Sequence, residues 1–168
     1  ASFNRSGTDA AEAGLLTAAS ALAAGALDVS VFDAATEGAL ARQDFSANAG
    51  QTLSFLWNFG TRDSFADYAF LVLDGVLLRL AGSADAALAG TGDALLETGF
   101  GRYSLTLGSS GNHSLAFGVV DVGDTAVLSS LTIADVQLSP RNDVPEPASL
   151  ALVALGLGLL GCRKFKVK

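Results

Sequence analysis

Four aspartates carry the most chemistry this sequence offers. Asp121 and Asp124 bracket Gly123, and Asp63 and Asp67 follow Trp57 within ten residues. Loop carboxylates joined by backbone carbonyls are what Ca²⁺ requires, about six to eight oxygens at roughly 2.3–2.6 Å. No Asp-x-Asp-x-Asp-Gly run is present, so an ion held here would be shared by two loops distant in sequence. The same side chains have a plainer use: Asp67 and Asp121 can cap turns through hydrogen bonds to nearby backbone. Paired carboxylates also serve glycoside hydrolysis, where one acid of raised pKa faces another across a sugar cleft. Here Asp outnumbers Glu 13 to 4 and several acids sit beside Gly, a pattern of solvated turns rather than of a cleft.

The remaining catalytic alphabet is thin, with one His (His113), one Cys (Cys162) and no Met. A zinc site or a disulfide framework needs more ligands or thiols than that. Serines lie near His113, but no Gly-x-Ser-x-Gly elbow is present and no third group is in evidence, so it reads as a strand-edge histidine. Trp57 alternates with Phe55 and Phe59, which places it in a core and not on a sugar-binding platform. No catalytic residue is assigned, and the expectation is a protein that is not an enzyme.

The elements that must hold these residues follow from composition and periodicity. Of 168 residues, 50% are hydrophobic and only 16% charged, with 19 Gly, which suits a turn-rich β protein with one core. An Ala/Leu-rich stretch predicts a helix over 9–27, capped by Thr8 or Asp9 and ending near Gly25. Alternation predicts strands over 40–47, 53–59, 68–73, 76–80, 102–107, 113–120 and 130–138, with a further short one at 29–32. Asp74-Gly75 reads as a hairpin turn, and residues 82–99 as a loop. These short strands predict a mainly β fold, an antiparallel jelly-roll-like β-sandwich with a short N-terminal helix and a C-terminal apolar helix. The division is a sandwich at 1–138, a linker at 139–147 and an apolar helix with a basic tail at 148–168.

Charge is distributed unevenly. Residues 1–147 hold 17 acids against 6 Arg, a net of −11, while Arg163, Lys164, Lys166 and Lys168 crowd the last six positions. So acidic a body repels phosphates, which argues against nucleic acid as a partner. The first residue is Ala1 and not Met, which fits a mature exported chain. Between the linker and the basic end lies an uncharged run of fifteen residues, Ala148 to Cys162. As a helix it spans roughly 22 Å, short of the about 20 apolar residues that a bilayer core needs unless Arg163 and Lys164 snorkel. Gly156 to Gly161 matches the letters of a dinucleotide fingerprint but follows no strand and opens no βαβ unit.

Pro145-Glu146-Pro147, the apolar run and the basic terminus, taken in order, resemble the PEP-CTERM sorting signal of Gram-negative bacteria. The resemblance implies export, retention in the inner membrane in transit, and processing by an exosortase near Pro-Glu-Pro. The body is also similar to PEP-CTERM ectodomains through Ala35-Thr36-Glu37-Gly38, Phe55 to Phe59 with Asp67 to Phe70, and Phe117 to Ala126. Such ectodomains imply an exported sandwich and lend it no active site. The expected role is a cell-surface or extracellular-matrix structural protein that self-associates as a homo-oligomer, filament or sheath. The alternative is a calcium-dependent carbohydrate-binding module of an exopolysaccharide matrix.

Overall fold

A computed structural model describes residues 2–4, 11–30, 33–125 and 129–140. In chain order the elements are β1 (Ser2–Asn4), β2 (Ala11–Glu12), α1 (Ala13–Ala19), β3 (Ala35–Ala47), β4 (Thr52–Thr61), β5 (Tyr68–Leu73) and β6 (Val76–Gly82). A 3₁₀ turn at Ser83–Asp85 leads to β7 (Leu88–Ala89), β8 (Leu96–Glu97), β9 (Gly101–Thr106), β10 (Gly111–Val122) and β11 (Ser129–Ser139). The predicted C-terminal helix and the Pro-Glu-Pro motif lie outside the described residues.

All pairings are antiparallel and form two sheets. One has the order β1-β11-β4-β8-β7, with β9 also paired to β4; the other has the order β2-β3-β10-β5-β6. Alternation along each strand sorts side chains to opposite faces. Leu53, Phe55 and Phe59 of β4 and Leu131 and Ile133 of β11 meet Leu71 of β5 and Leu115, Phe117 and Val119 of β10 in one core between the sheets. At its centre the Phe55 and Phe117 rings pack edge to face, 4.8 Å apart, a favoured aromatic arrangement. Trp57 is half-buried against this core, as its spacing predicts.

The second sheet is buried on its outer face too. Tyr68, Phe70 and Val72 of β5 and Ala116, Val120 and Val122 of β10 form a second cluster with Leu16 of α1 and Leu27. This explains why β5 is buried at every position, whereas the exposed strand β9 alternates. The Tyr68 hydroxyl donates to the Leu27 carbonyl at 2.5 Å, fixing this cover to the sheet. Burial pushes the Tyr68 phenol up to about 12; Arg79 opposes the shift and Asp28 adds to it.

Three expectations need correction. Of the predicted helix over 9–27, residues 11–27 are described and only Ala13–Ala19 is α-helical; the predicted cap, Thr8 or Asp9, lies outside the described residues. It ends in a Schellman turn: the Leu22 N–H donates to the Thr17 carbonyl and the Ala21 N–H to the Ala18 carbonyl, with Ala21 at φ 58°. The chain then wraps through turns to Leu27, because covering a sheet face requires leaving the helix axis. Val29 and Ser30 form a bend and not a strand; residues 31–32 lie outside the described set. The 82–99 connection, read as a loop, contains β7 and β8. The other strands fall within a few residues of expectation, and β3 extends forward to Ala35.

Candidate functional site

The strands end in two loop clusters. At one end lie Thr61, Tyr68, Val122 and Ser129, and it is here that three of the four singled-out aspartates converge. Carboxylate oxygens of Asp63, Asp121 and Asp124 lie within 4.8 Å of one another. Asp63 follows β4 directly. Its Oδ1 accepts the Phe65 N–H at 2.9 Å, and its own N–H donates to Thr61 Oγ1 at 2.8 Å. Its Oδ2 is buried and accepts no hydrogen bond among the described residues.

Asp121 is fully buried and sits at a register shift in β10, where the pairing with β3 skips from Val120 to Val122. Such an irregularity re-aims a side chain at a strand end. Thr36 of β3 ties the following loop down: its hydroxyl donates to the Asp121 carbonyl at 3.2 Å and to that of Asp124. Gly123 between them has φ 91°, a conformation that favours glycine. A Cβ there would stand 3.2 Å from Phe65 Cδ1, so the half-exposed Phe65 ring lies over this loop.

Asp67 does not join the cluster. It is fully buried; its Oδ1 accepts the Val122 N–H at 3.0 Å and its Oδ2 the Ser129 hydroxyl at 2.6 Å. Thr61 and Ser129 share a 2.8 Å hydrogen bond. Since Thr61 also accepts the Asp63 N–H, a continuous relay runs from Asp63 through Thr61 and Ser129 to Asp67. Asp67 thus does not cap its own turn: its partners lie 55 and 62 residues away, and it locks the loop that carries Asp63 to the strand that carries Asp121.

His113 is not at a surface edge. It is buried near the start of β10, with Nδ1 2.7 Å from Asp74 Oδ2 and Nε2 3.3 Å from the Ser109 carbonyl. The partner missed in the sequence, Asp74, is the first residue of the β5–β6 turn, where Asp74 and Gly75 have φ 52° and 79°. Both central residues of that turn type need positive φ, which explains the Asp-Gly pair and aims the carboxylate back at β10. Burial alone would raise the Asp74 pKa, but the hydrogen bond from His113, the Ser114 N–H and the attraction of His113 together lower it. Because Nε2 faces a carbonyl and no hydroxyl, the pair is not arranged as a nucleophile-activating triad.

Residues 143–166 match the family described as the PEP-CTERM protein-sorting motif. This span includes Pro145, Glu146 and Pro147, the apolar run, and Arg163, Lys164 and Lys166. It marks an exported protein of a Gram-negative bacterium, sorted through an exosortase to the cell surface or beyond. No curated protein matches the chain.

Proposed function

We propose that this exported chain is a non-catalytic structural protein of the cell surface or extracellular matrix, and that it works by associating with copies of itself. The two sheets with their shared core are read as a jelly-roll-like sandwich, followed by an apolar helix at 148–162. The observation that carries the reading is the state of the sheet edges. Natural monomers guard edge strands with Pro, bulges or outward charge. Strand β6 runs seven residues, Val76–Gly82, without Pro; its one irregularity is a bulge at Leu80, and from Val76 to Arg79 its pairing with β5 is regular. Its single charge, Arg79, lies over the Tyr68 ring at 4.8 Å, on the sheet face and away from the edge. Val76 and Leu78 beside it are exposed. Sedimentation and electron microscopy of the purified full-length chain test this: salt-tolerant assemblies are expected, and a monodisperse monomer would overturn it.

A second reading is favoured by the convergence of Asp63, Asp121 and Asp124. Three carboxylates this close repel one another by on the order of 3 kcal/mol per pair at an effective dielectric of about 20. A Ca²⁺ among them turns that repulsion into attraction, with loop carbonyls completing the shell. The Phe65 ring beside the cluster offers a flat apolar surface for a sugar, in keeping with a calcium-dependent carbohydrate-binding module of a polysaccharide matrix. A rise of several degrees in melting temperature at millimolar Ca²⁺, abolished by Asp63→Asn or Asp124→Asn, is the expected result. An unchanged melting curve would end this reading.

A further inference from the structure

The flank of the molecule that carries β3 is built differently from the β6 edge. Strand β2 pairs with β3 only at Glu37 and Gly38, so among the described residues no strand covers the outer edge of β3 from 39 to 47. On the neighbouring sheet, β1 pairs with β11 only at 130–132, so among the described residues no strand covers the same flank of β11 beyond Thr132. Between the two bare edges runs a groove of about 310 Å³, with Leu53 and Leu115 on its floor and Val136 and Leu138 on its rim. Val136 and Leu138 are 50% and 36% exposed.

The sequence of this edge is self-complementary. Arg42 and Asp44 lie on the same face of β3 and form a salt bridge at 3.2 Å, both exposed, and Arg42 also donates to the Ala19 carbonyl at the end of α1 at 3.1 Å. Gln43, between them, points to the groove side. Two β3 strands set antiparallel about a twofold axis through Gln43 place Arg42 of each copy opposite Asp44 of the other. The same register sets Ala41 opposite Phe45 and Ala39 opposite Ala47, which brings apolar residues together on the inner face. Opposite charges directly across antiparallel strands stabilise the pair, and like charges destabilise it. Shifting the register by two residues puts Arg42 opposite Arg42, or Asp44 opposite Asp44. The twofold symmetry makes the contact isologous and closed.

We propose that the outer edge of β3 is a dimerisation edge, occupied by β3 of a second copy in the register centred on Gln43, so that the two five-stranded sheets become one continuous sheet. This inference rests on the self-association reading and names the surface that performs it. A dimer formed here still leaves β6 free at both ends, so the dimer is the unit from which a longer assembly grows.

The test uses the full-length chain in detergent with Cys162→Ser, so that the only thiol is the one introduced. Paired residues on antiparallel strands lie about 4.5–5.5 Å apart, within the range a disulfide spans. Gln43→Cys should therefore cross-link to a covalent dimer under mild oxidation, whereas Ser104→Cys on β9 should not. Adding Arg42→Asp should reduce the cross-linked fraction by about tenfold, and the swapped pair Arg42→Asp with Asp44→Arg should restore it. Arg42→Asp also gives up the hydrogen bond to the Ala19 carbonyl; these side chains are exposed, so circular dichroism should be unchanged throughout, and rescue by the swapped pair, which lacks that bond too, separates its loss from the loss of the charge match. A Gln43→Cys dimer indifferent to Arg42→Asp, or equal cross-linking of Ser104→Cys, would overturn the proposed register. An absent cross-link in a chain that still sediments as an oligomer would overturn this edge and leave self-association standing. An absent cross-link in a chain that sediments as a monomer would remove both.

Discussion

At the scale of single residues, Asp67 shows what a buried carboxylate does when it is fully used. It takes the Val122 N–H and the Ser129 hydroxyl, and removing it leaves the buried Val122 N–H without an acceptor and the Ser129 hydroxyl with Thr61 in place of a carboxylate. Hydrogen bonds to charged groups contribute about 1.5–3 kcal/mol each, so Asp67→Ala should cost about 3 kcal/mol or more in urea unfolding. Asp74 has a different signature. Its pKa is lowered in the folded protein, so the unfolded chain binds its proton first as pH falls. Its contribution to stability is present above the unfolded value of about 3.9 and is lost as pH falls through the folded one. Asp74→Asn should flatten that part of the acid limb of a stability–pH curve, and an unaltered limb would count against the His113 contact. Three of the four aspartates singled out in the sequence do meet, because loops that end neighbouring strands gather at one end of a two-sheet fold. The separate task of Asp67 was not legible, since it depends on Ser129, 62 residues away. His113 looked solitary for the same reason: Asp74 reaches it only through the positive φ of a tight turn.

At the scale of elements, the strands were legible wherever one face meets the core and the other meets solvent, as in β4 and β9. In β5 the pattern is a continuous apolar run, because α1 and the following turns bury the face that alternation would leave polar. The same cover explains Gly118 in β10: a Cβ there would lie 2.3 Å from Phe70 Cζ, so the ring of β5 occupies the space of the missing side chain. The N-terminal helix was overextended because Ala and Leu favour helix at every position and no local breaker stands at residue 20. What stops it is Ala21 in a left-handed conformation, which costs an L-residue about 1–2 kcal/mol. Glycine is the residue this position prefers. Ala21→Gly should therefore stabilise the protein by up to about 1 kcal/mol, read as a higher denaturation midpoint with unchanged slope. A lower midpoint would mean that the methyl group contributes more by packing than it costs by strain.

At the scale of the whole molecule, the sorting signal was the most legible feature, because its order of motif, apolar run and basic end is written in consecutive residues. The sheet order was not, since β10 sits between β3 and β5 through pairings that skip most of the chain. Processing in transit predicts a definite mass: protein recovered from the cell surface should lack roughly 20 residues from near Pro145 onward. A full-length mass would mean that the apolar run persists in the final assembly. The direction of β11 then acquires a meaning. It begins at Ser129, beside the relay to Asp67, and ends at Ser139, the last paired residue before the signal. Eleven residues at about 3.3 Å each separate those points by roughly 33 Å. The chain thus leaves the described fold toward its sorting signal at one end of this strand, and the Asp63, Asp121 and Asp124 loops stand at the other, a strand's length from where the signal departs.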